Sequence, residues 1–152
     1  MTTLDDTDRR ILRILQRNGR ISNADLAVQA NVSSSACHRR VQRMEAEGVI
    51  RDYAAMLDPR HVDRRATVFV EVTLDSQADE TLDEFERAVA LVEDVLECHL
   101  MAGSADYMLK VVAADTEHFA QLHRRLVCLP GVQKMQSSFA MRTVFKTTAL
   151  PV

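Results

Sequence analysis

"ISNADLAVQANVSSSACHRRVQRMEAEGVI", residues 21–50, decides the fold of the first half of the chain. Ser22, followed three residues later by Asp25, predicts a capping box at a helix start, and Leu26, Ala27 and Ala30 then recur on one face. A short helix is expected there. Asn31 and Val32 make a turn, Ser33 fits the N-cap of a further helix, and Val32 and Cys37 take the two positions of a hydrophobic staple. At 100° per residue, Cys37, Val41 and Met44 fall within about 60° of one another and form its buried stripe. The opposite side carries Ser35, Arg39, Gln42 and Arg43, flanked by Ser34 and His38 on one side and Arg40 on the other. A short helix, a tight turn and a helix with a polar, basic outer face make a helix-turn-helix.

Upstream, "LDDTDRRILRILQRNG" (4–19) predicts another helix: Asp5 caps it, Ile11, Ile14 and Leu15 recur at helical spacing, and Gly19 closes it. Downstream, Gly48 ends the basic helix, and Ile50, Tyr53 and Met56 alternate loosely toward Asp58-Pro59, which predicts a small wing or a linker strand. The polar, charged run over 59–65 is the expected linker, between a helix-turn-helix domain over 1–58 and a second domain over 66–152. In that second half the period changes. Val68, Val70, Val72 and Leu74 mark a strand; Leu82, Phe85, Val89 and Val92 a helix; Leu96, Cys98, Leu100 and Ala102 a second strand. Tyr107, Leu109, Val111 and Ala113 mark a third strand, Phe119, Leu122, Leu126 and Leu129 another helix, and "VQKMQSSFAMRTVFK" (132–146) a last extended segment. The order β-α-β-β-α-β predicts a ferredoxin-like domain, so the expected fold class is α+β: a winged-helix-like helix-turn-helix domain followed by a ferredoxin-like one.

Charge divides the chain in the same place. Residues 1–65 hold 12 Lys and Arg against 9 Asp and Glu, whereas residues 66–152 hold 7 against 13. The positive half suits an anionic partner and the negative half should lie away from it. The three cysteines are odd in number and scattered, which fits reduced thiols rather than a disulfide framework. No apolar run approaches the roughly 20 residues that cross a bilayer, so no membrane association is expected and the cytoplasm is the expected location.

Chemistry then follows from position. The N-terminal residues of a recognition helix lie nearest base edges in the major groove, which points to Ser34, Ser35 and Arg39, with Gln42 and Arg43 continuing that face. Arg40 on the flank either reaches a phosphate or pairs with an acid of the first helices. Ser22 and Asn23 open the preceding helix, whose free N–H groups suit a phosphate. One such module has too small a footprint for tight specific binding, so a two-fold dimer on a pseudo-palindromic double-stranded DNA site is expected. In the second half, the turn "GSAD" (103–106) offers Gly103 for close backbone approach, a hydroxyl at Ser104 and a carboxylate at Asp106 for an α-ammonium group, with Tyr107 adjoining. The competing reading is plain hairpin chemistry, with an Asx-type bond at Asp106 and Tyr107 as packing. Cys37 and His38 diverge by about 100° on a helix, and Cys98 and His99 point to opposite faces of a strand, so no metal site is expected. No phosphate loop, nucleophile elbow or carboxylate pair suggests an enzyme.

Over nearly its full length the chain resembles the leucine-responsive regulatory protein family (Lrp/AsnC) of transcription regulators. The likeness is carried by "LDDTDRRILRILQRNGRISNADLA", "VSSSACHRRVQRMEAEGVI" and "MAGSADYMLKV". It implies DNA binding as a homodimer and a higher oligomer such as an octamer. It also implies an amino-acid effector, leucine or another, bound near the Gly103–Tyr107 turn at a contact between dimers, and no other cofactor. The alternative function is a DNA-architectural protein that wraps or bridges DNA without a small-molecule effector.

Overall fold

The computed structural model describes residues 3–152, so the first two positions of the expected 1–58 domain lie outside it. Two compact units are present. One comprises the residues up to Met56 together with Phe145–Val152, the other Leu57–Val144.

The first unit is built from three helices: α1 (Asp6–Leu15), α2 (Asn23–Ala30) and α3 (Ser34–Ala46). Each starts where a side chain accepts a bond from an otherwise unpaired backbone N–H: Asp5 from Asp8, Ser22 from Asp25, and Ser33 from Ala36. Asp8 returns the bond to the Asp5 N–H, which completes a capping box. α1 ends at Gln16 rather than running on to Gly19, because the Arg17 and Asn18 N–H groups both turn back to the Ile14 carbonyl. α3 ends in a Schellman arrangement at Gly48 (φ 71°), with the Val49 N–H on the Met44 carbonyl at 2.8 Å and the Gly48 N–H on the Glu45 carbonyl at 3.0 Å. Ile11, Leu12, Leu26, Ala27, Ala30, Cys37 and Met44 form the core, with Val41 packed at its edge. Cys37 therefore does point inward, and burial pushes its thiol pKa up.

Two expectations change in this unit. Its residues 51–56, like 57–58 after them, form no strand and remain largely exposed coil; an extended segment needs a partner to satisfy its N–H and C=O groups, and no backbone bond pairs it with a strand among the described residues. The last eight residues, placed by the sequence with the second domain, belong to the first unit instead. The Gln16 amide pairs with the backbone of Leu150 through both its oxygen (2.6 Å from Leu150 N) and its nitrogen (3.1 Å from Leu150 O), as a neighbouring strand would. Arg13 Nε donates to the Val152 carbonyl at 2.6 Å, and the Val152 side chain packs against the helical core.

The second unit begins with a 3-10 turn, Pro59–Val62, inside the expected linker. Its sheet has four antiparallel strands in the order β2-β3-β1-β4: β1 (Ala66–Leu74), β2 (Val95–Leu100), β3 (Tyr107–Ala113) and β4 (Val132–Phe139). Helices α4 (Asp79–Val89) and α5 (Thr116–Val127) complete the ferredoxin-like β-α-β-β-α-β order. Val68, Val70, Val72 and Leu74 of β1 and Tyr107, Leu109 and Val111 of β3 pack with Phe85 and Val89 of α4 and with Phe119, Leu122 and Leu126 of α5. Alternate residues on one face of each central strand are therefore buried, as the period-2 pattern requires. Val92 lies just past α4 but is buried, and the last strand stops at Phe139, short of the expected extended segment.

Gly131, at the start of β4, has φ 70°, and a methyl group built on it would lie 2.7 Å from Thr81 Cγ2. Gly131→Ala is expected to lower the stability of this unit by about 1–3 kcal/mol, from left-handed backbone strain plus overpacking. A urea midpoint equal to that of the parent protein would contradict this.

No helix among the described residues is long and apolar enough to cross a membrane.

Candidate functional site

Two places in the fold gather the chemistry read from the sequence, one in each unit. The first is the outer side of α3. Asn23, the first residue of α2, donates from Nδ2 to both the carbonyl (3.0 Å) and the hydroxyl (2.7 Å) of Ser34, the first residue of α3. Ser34, read as base-proximal, and Asn23, read at a phosphate-facing helix start, thus bond to each other across the two helices of the motif. Ser22 is occupied as well, capping α2 and donating its hydroxyl to Asp25 Oδ2 at 2.6 Å. Ser35 lies exposed beside Ser33, with their hydroxyl oxygens 3.4 Å apart. Arg39 and Gln42 are exposed and make no side-chain hydrogen bond or ion pair among the described residues. The outward-facing set is therefore Ser35, Arg39 and Gln42, spread over the first three turns of α3.

The remaining arginines of α3 face elsewhere. Arg40 Nη1 donates to Asp5 Oδ2 at 2.7 Å and to Asp8 Oδ1 at 2.8 Å, so here the side chain makes the internal pairing that one of its two readings gave it. The Arg40 guanidinium, together with the bond from the Asp8 N–H, holds the Asp5 carboxyl below the usual carboxylate range; the backbone bond is the larger cause. Arg43, read from the sequence as part of the outer face, turns back so that Nη2 donates to Asp8 Oδ2 at 2.6 Å, with Glu47 at 4.0 Å on the same helix. The correction has a simple origin. An arginine stem is long enough to carry its head from the side of α3 to α1, and a buried carboxylate offers a stronger partner than water. Nothing local in the sequence marks Asp8 as its partner, because the Asp5/Asp8 pair is already accounted for by the capping box.

The second place is the turn between β2 and β3. Gly103 and Ser104 are exposed, and nothing lies within 4 Å of where a Gly103 side chain would begin. Asp106, by contrast, is buried, and both carboxylate oxygens are engaged: Oδ2 accepts from the Leu74 N–H at 2.7 Å and Oδ1 from Gln77 Nε2 at 2.8 Å. Its backbone is held too, the N–H by Val72 O (2.9 Å) and the carbonyl by the Met101 N–H (2.8 Å). Asp106 thus fastens the turn to the end of β1. Tyr107 points inward, its ring centroid 4.7 Å from that of Phe85, and its hydroxyl donates to Glu86 Oε1 at 2.8 Å. Burial, and then the bond to Glu86, raise the Tyr107 pKa. Of the four residues read from this turn, two present surface and two support it from within. Gln77, the remaining support, was not singled out in the sequence, because nothing local distinguishes it from an ordinary residue before a helix.

Two further titratable groups of this unit have internal surroundings. Buried Asp94 accepts from Arg64 Nε at 3.0 Å and lies 3.5 Å from His118 Nε2, so His118 has a partner within this unit. Cys98 lies on exposed β2, where partial burial and the nearby Glu86 push its thiol to about 11, which leaves it protonated and unreactive at neutral pH.

Comparison with known proteins agrees with both halves of this description. Residues 4–51 match the winged helix-turn-helix DNA-binding family, and residues 67–150 match the Lrp/AsnC ligand binding domain. The leucine-responsive regulatory protein of Escherichia coli (strain K12) is 38% identical over 150 residues, covering 98% of this chain and 92% of the relative. Among solved structures, an AsnC family transcriptional regulator from Agrobacterium tumefaciens superposes with a TM-score of 0.94 at 38% identity over 97% of both chains. A transcriptional regulator from Neisseria meningitidis in complex with L-methionine superposes with a TM-score of 0.93 at 36% identity, over 98% of this chain and 97% of that one. With matches that span both units at this identity, the chain belongs to the Lrp/AsnC family of transcription regulators.

Proposed function

We propose that this protein is a regulator that binds double-stranded DNA as a two-fold homodimer or a larger assembly such as an octamer, and whose DNA binding or assembly responds to a free amino acid. The observation that carries the DNA reading is the outer side of α3, where Ser35, Arg39 and Gln42 point outward from a helix whose start is fixed by the Asn23–Ser34 bonds. A single module of this size covers too few base pairs for specificity, and two-fold pairing on a pseudo-palindrome doubles the contact at no cost in sequence. The start of α2 is the proposed phosphate contact on the near strand, through the backbone N–H groups at Asn23 and Ala24 rather than the Ser22 hydroxyl, which is given to Asp25.

The effector reading rests on the exposed Gly103–Ser104 stretch, supported by the methionine complex of the Neisseria relative. On this reading, Gly103 and Ser104 would meet the amino acid through backbone N–H groups and the hydroxyl, near a contact between dimers. Asp106 and Tyr107 act behind them, holding the turn in place. Leucine and methionine are the first effectors to try. A thermal-shift screen of the common amino acids, followed by native mass measurement with each hit, tests this directly. At least one amino acid should raise the melting temperature and change the oligomer distribution. If none does either, the effector reading falls and a DNA-architectural role gains.

A further inference from the structure

Asp8 has no solvent exposure, the lowest of the charged residues in either unit. Burying a carboxylate costs free energy unless hydrogen-bonding cations meet it, and here two do, both from α3: Arg40 at 2.8 Å on one oxygen and Arg43 at 2.6 Å on the other. Arg40 also reaches Asp5 at 2.7 Å, so two carboxylates of the first helix face two guanidiniums of the third. Of the three arginines on α3, only Arg39 has no such partner among the described residues.

We propose that Asp8 is a specificity-determining positioning residue: by holding Arg40 and Arg43 it withholds them from the DNA backbone and leaves Arg39 as the arginine that α3 presents. The inference rests on the DNA-binding reading above and sharpens it. Phosphate contacts strengthen binding to every sequence alike, in proportion to the uncompensated positive charge that displaces condensed counterions. An arginine already matched by a carboxylate at 2.6 Å adds little to that term. Withholding two of three charges therefore lowers affinity for random DNA and leaves base-edge contacts a larger share of the total. Arg43 lies one helical turn beyond Arg39, and its side chain is 41% exposed, so removing the Asp8 charge frees it to swing outward on the same side.

The test measures binding of a random-sequence duplex by fluorescence anisotropy across a range of salt concentrations, for the full chain and four variants, with thermal unfolding as a check on the fold. Arg43→Gln should leave the slope of log affinity against log salt unchanged. Asp8→Asn should steepen it by about 0.9 for each arginine released and tighten binding to the random duplex several-fold at low salt. The double variant Asp8→Asn/Arg43→Gln should be less steep than Asp8→Asn alone. A buried pair that only stabilised the fold would move the melting temperature without steepening this slope. The proposal is overturned if Asp8→Asn folds and keeps the parent slope, or if Arg43→Gln flattens it. Should Asp8→Asn not fold, the Arg43→Gln slope decides alone. Arg39→Gln separates this inference from the reading beneath it. If Arg39→Gln and Arg43→Gln both flatten the slope, only the withholding role of Asp8 is lost. If the parent protein shows no salt-dependent binding at all, the DNA reading itself falls and takes this one with it.

Discussion

Replacing Arg39 with alanine is expected to weaken binding to a specific DNA site by about 2–6 kcal/mol per dimer, the sum of two lost bidentate base contacts at roughly 1–3 kcal/mol each. That corresponds to a loss of at least about 30-fold in affinity. Arg39 is the α3 arginine without an internal partner among the described residues, so its removal should leave the three-helix core and its melting temperature intact. The pattern of loss also identifies the contact. If Arg39 reads a base, discrimination between the selected site and random DNA collapses while the salt slope barely moves. If it meets a phosphate, affinity falls for all sequences and the slope flattens by about 0.9 per arginine. Titration of a duplex selected from a random pool, at two or more salt concentrations, distinguishes these outcomes. Unchanged affinity on every duplex would remove α3 from the interface.

The second large effect belongs to the other unit. Asp106→Ala should lower its stability by about 2–4 kcal/mol, because a buried carboxylate that accepts from the Leu74 N–H and from Gln77 is lost and a backbone N–H is left without its partner. With that anchor gone, the Gly103–Ser104 stretch loses its fixed relation to the end of β1, and any amino-acid-induced shift should disappear while DNA binding by the first unit persists. Asp106→Asn is the informative companion: one oxygen still accepts from Leu74, so part of the stability should return. If Asp106→Ala keeps the full amino-acid response, the pocket lies elsewhere.

What could be read from the sequence, and what could not, follows the range of the interactions concerned. Helix starts at Asp5, Ser22 and Ser33 were legible because a cap and the N–H groups it satisfies lie within three residues. So was the ferredoxin-like order, since Val68–Leu74 and Tyr107–Ala113 alternate cleanly between faces. The direction of Arg43 was not, because its partner lies 35 residues away and periodicity fixes only where a side chain leaves its helix, not where a long stem ends. Asp106 was ambiguous for a related reason. Its residue type suits both a ligand contact and an internal anchor, and the choice depends on Leu74 and Gln77, about 30 residues earlier. The coil over 51–58 misled because alternation marks a segment fit to be a strand without supplying the strand it would pair with.

The return of Phe145–Val152 to the first unit has a consequence for how the protein is made. Domains generally fold as they leave the ribosome, N-terminal first. Here the three helices, Arg39 among their residues, emerge before the β-sheet, yet the segment that pairs with Gln16 and covers the edge of their core with Val152 is synthesised after it. The helices of this unit are made before the β-sheet and its closing segment after it, so a nascent chain stalled anywhere before Phe145 would carry a recognition helix on an unfinished support.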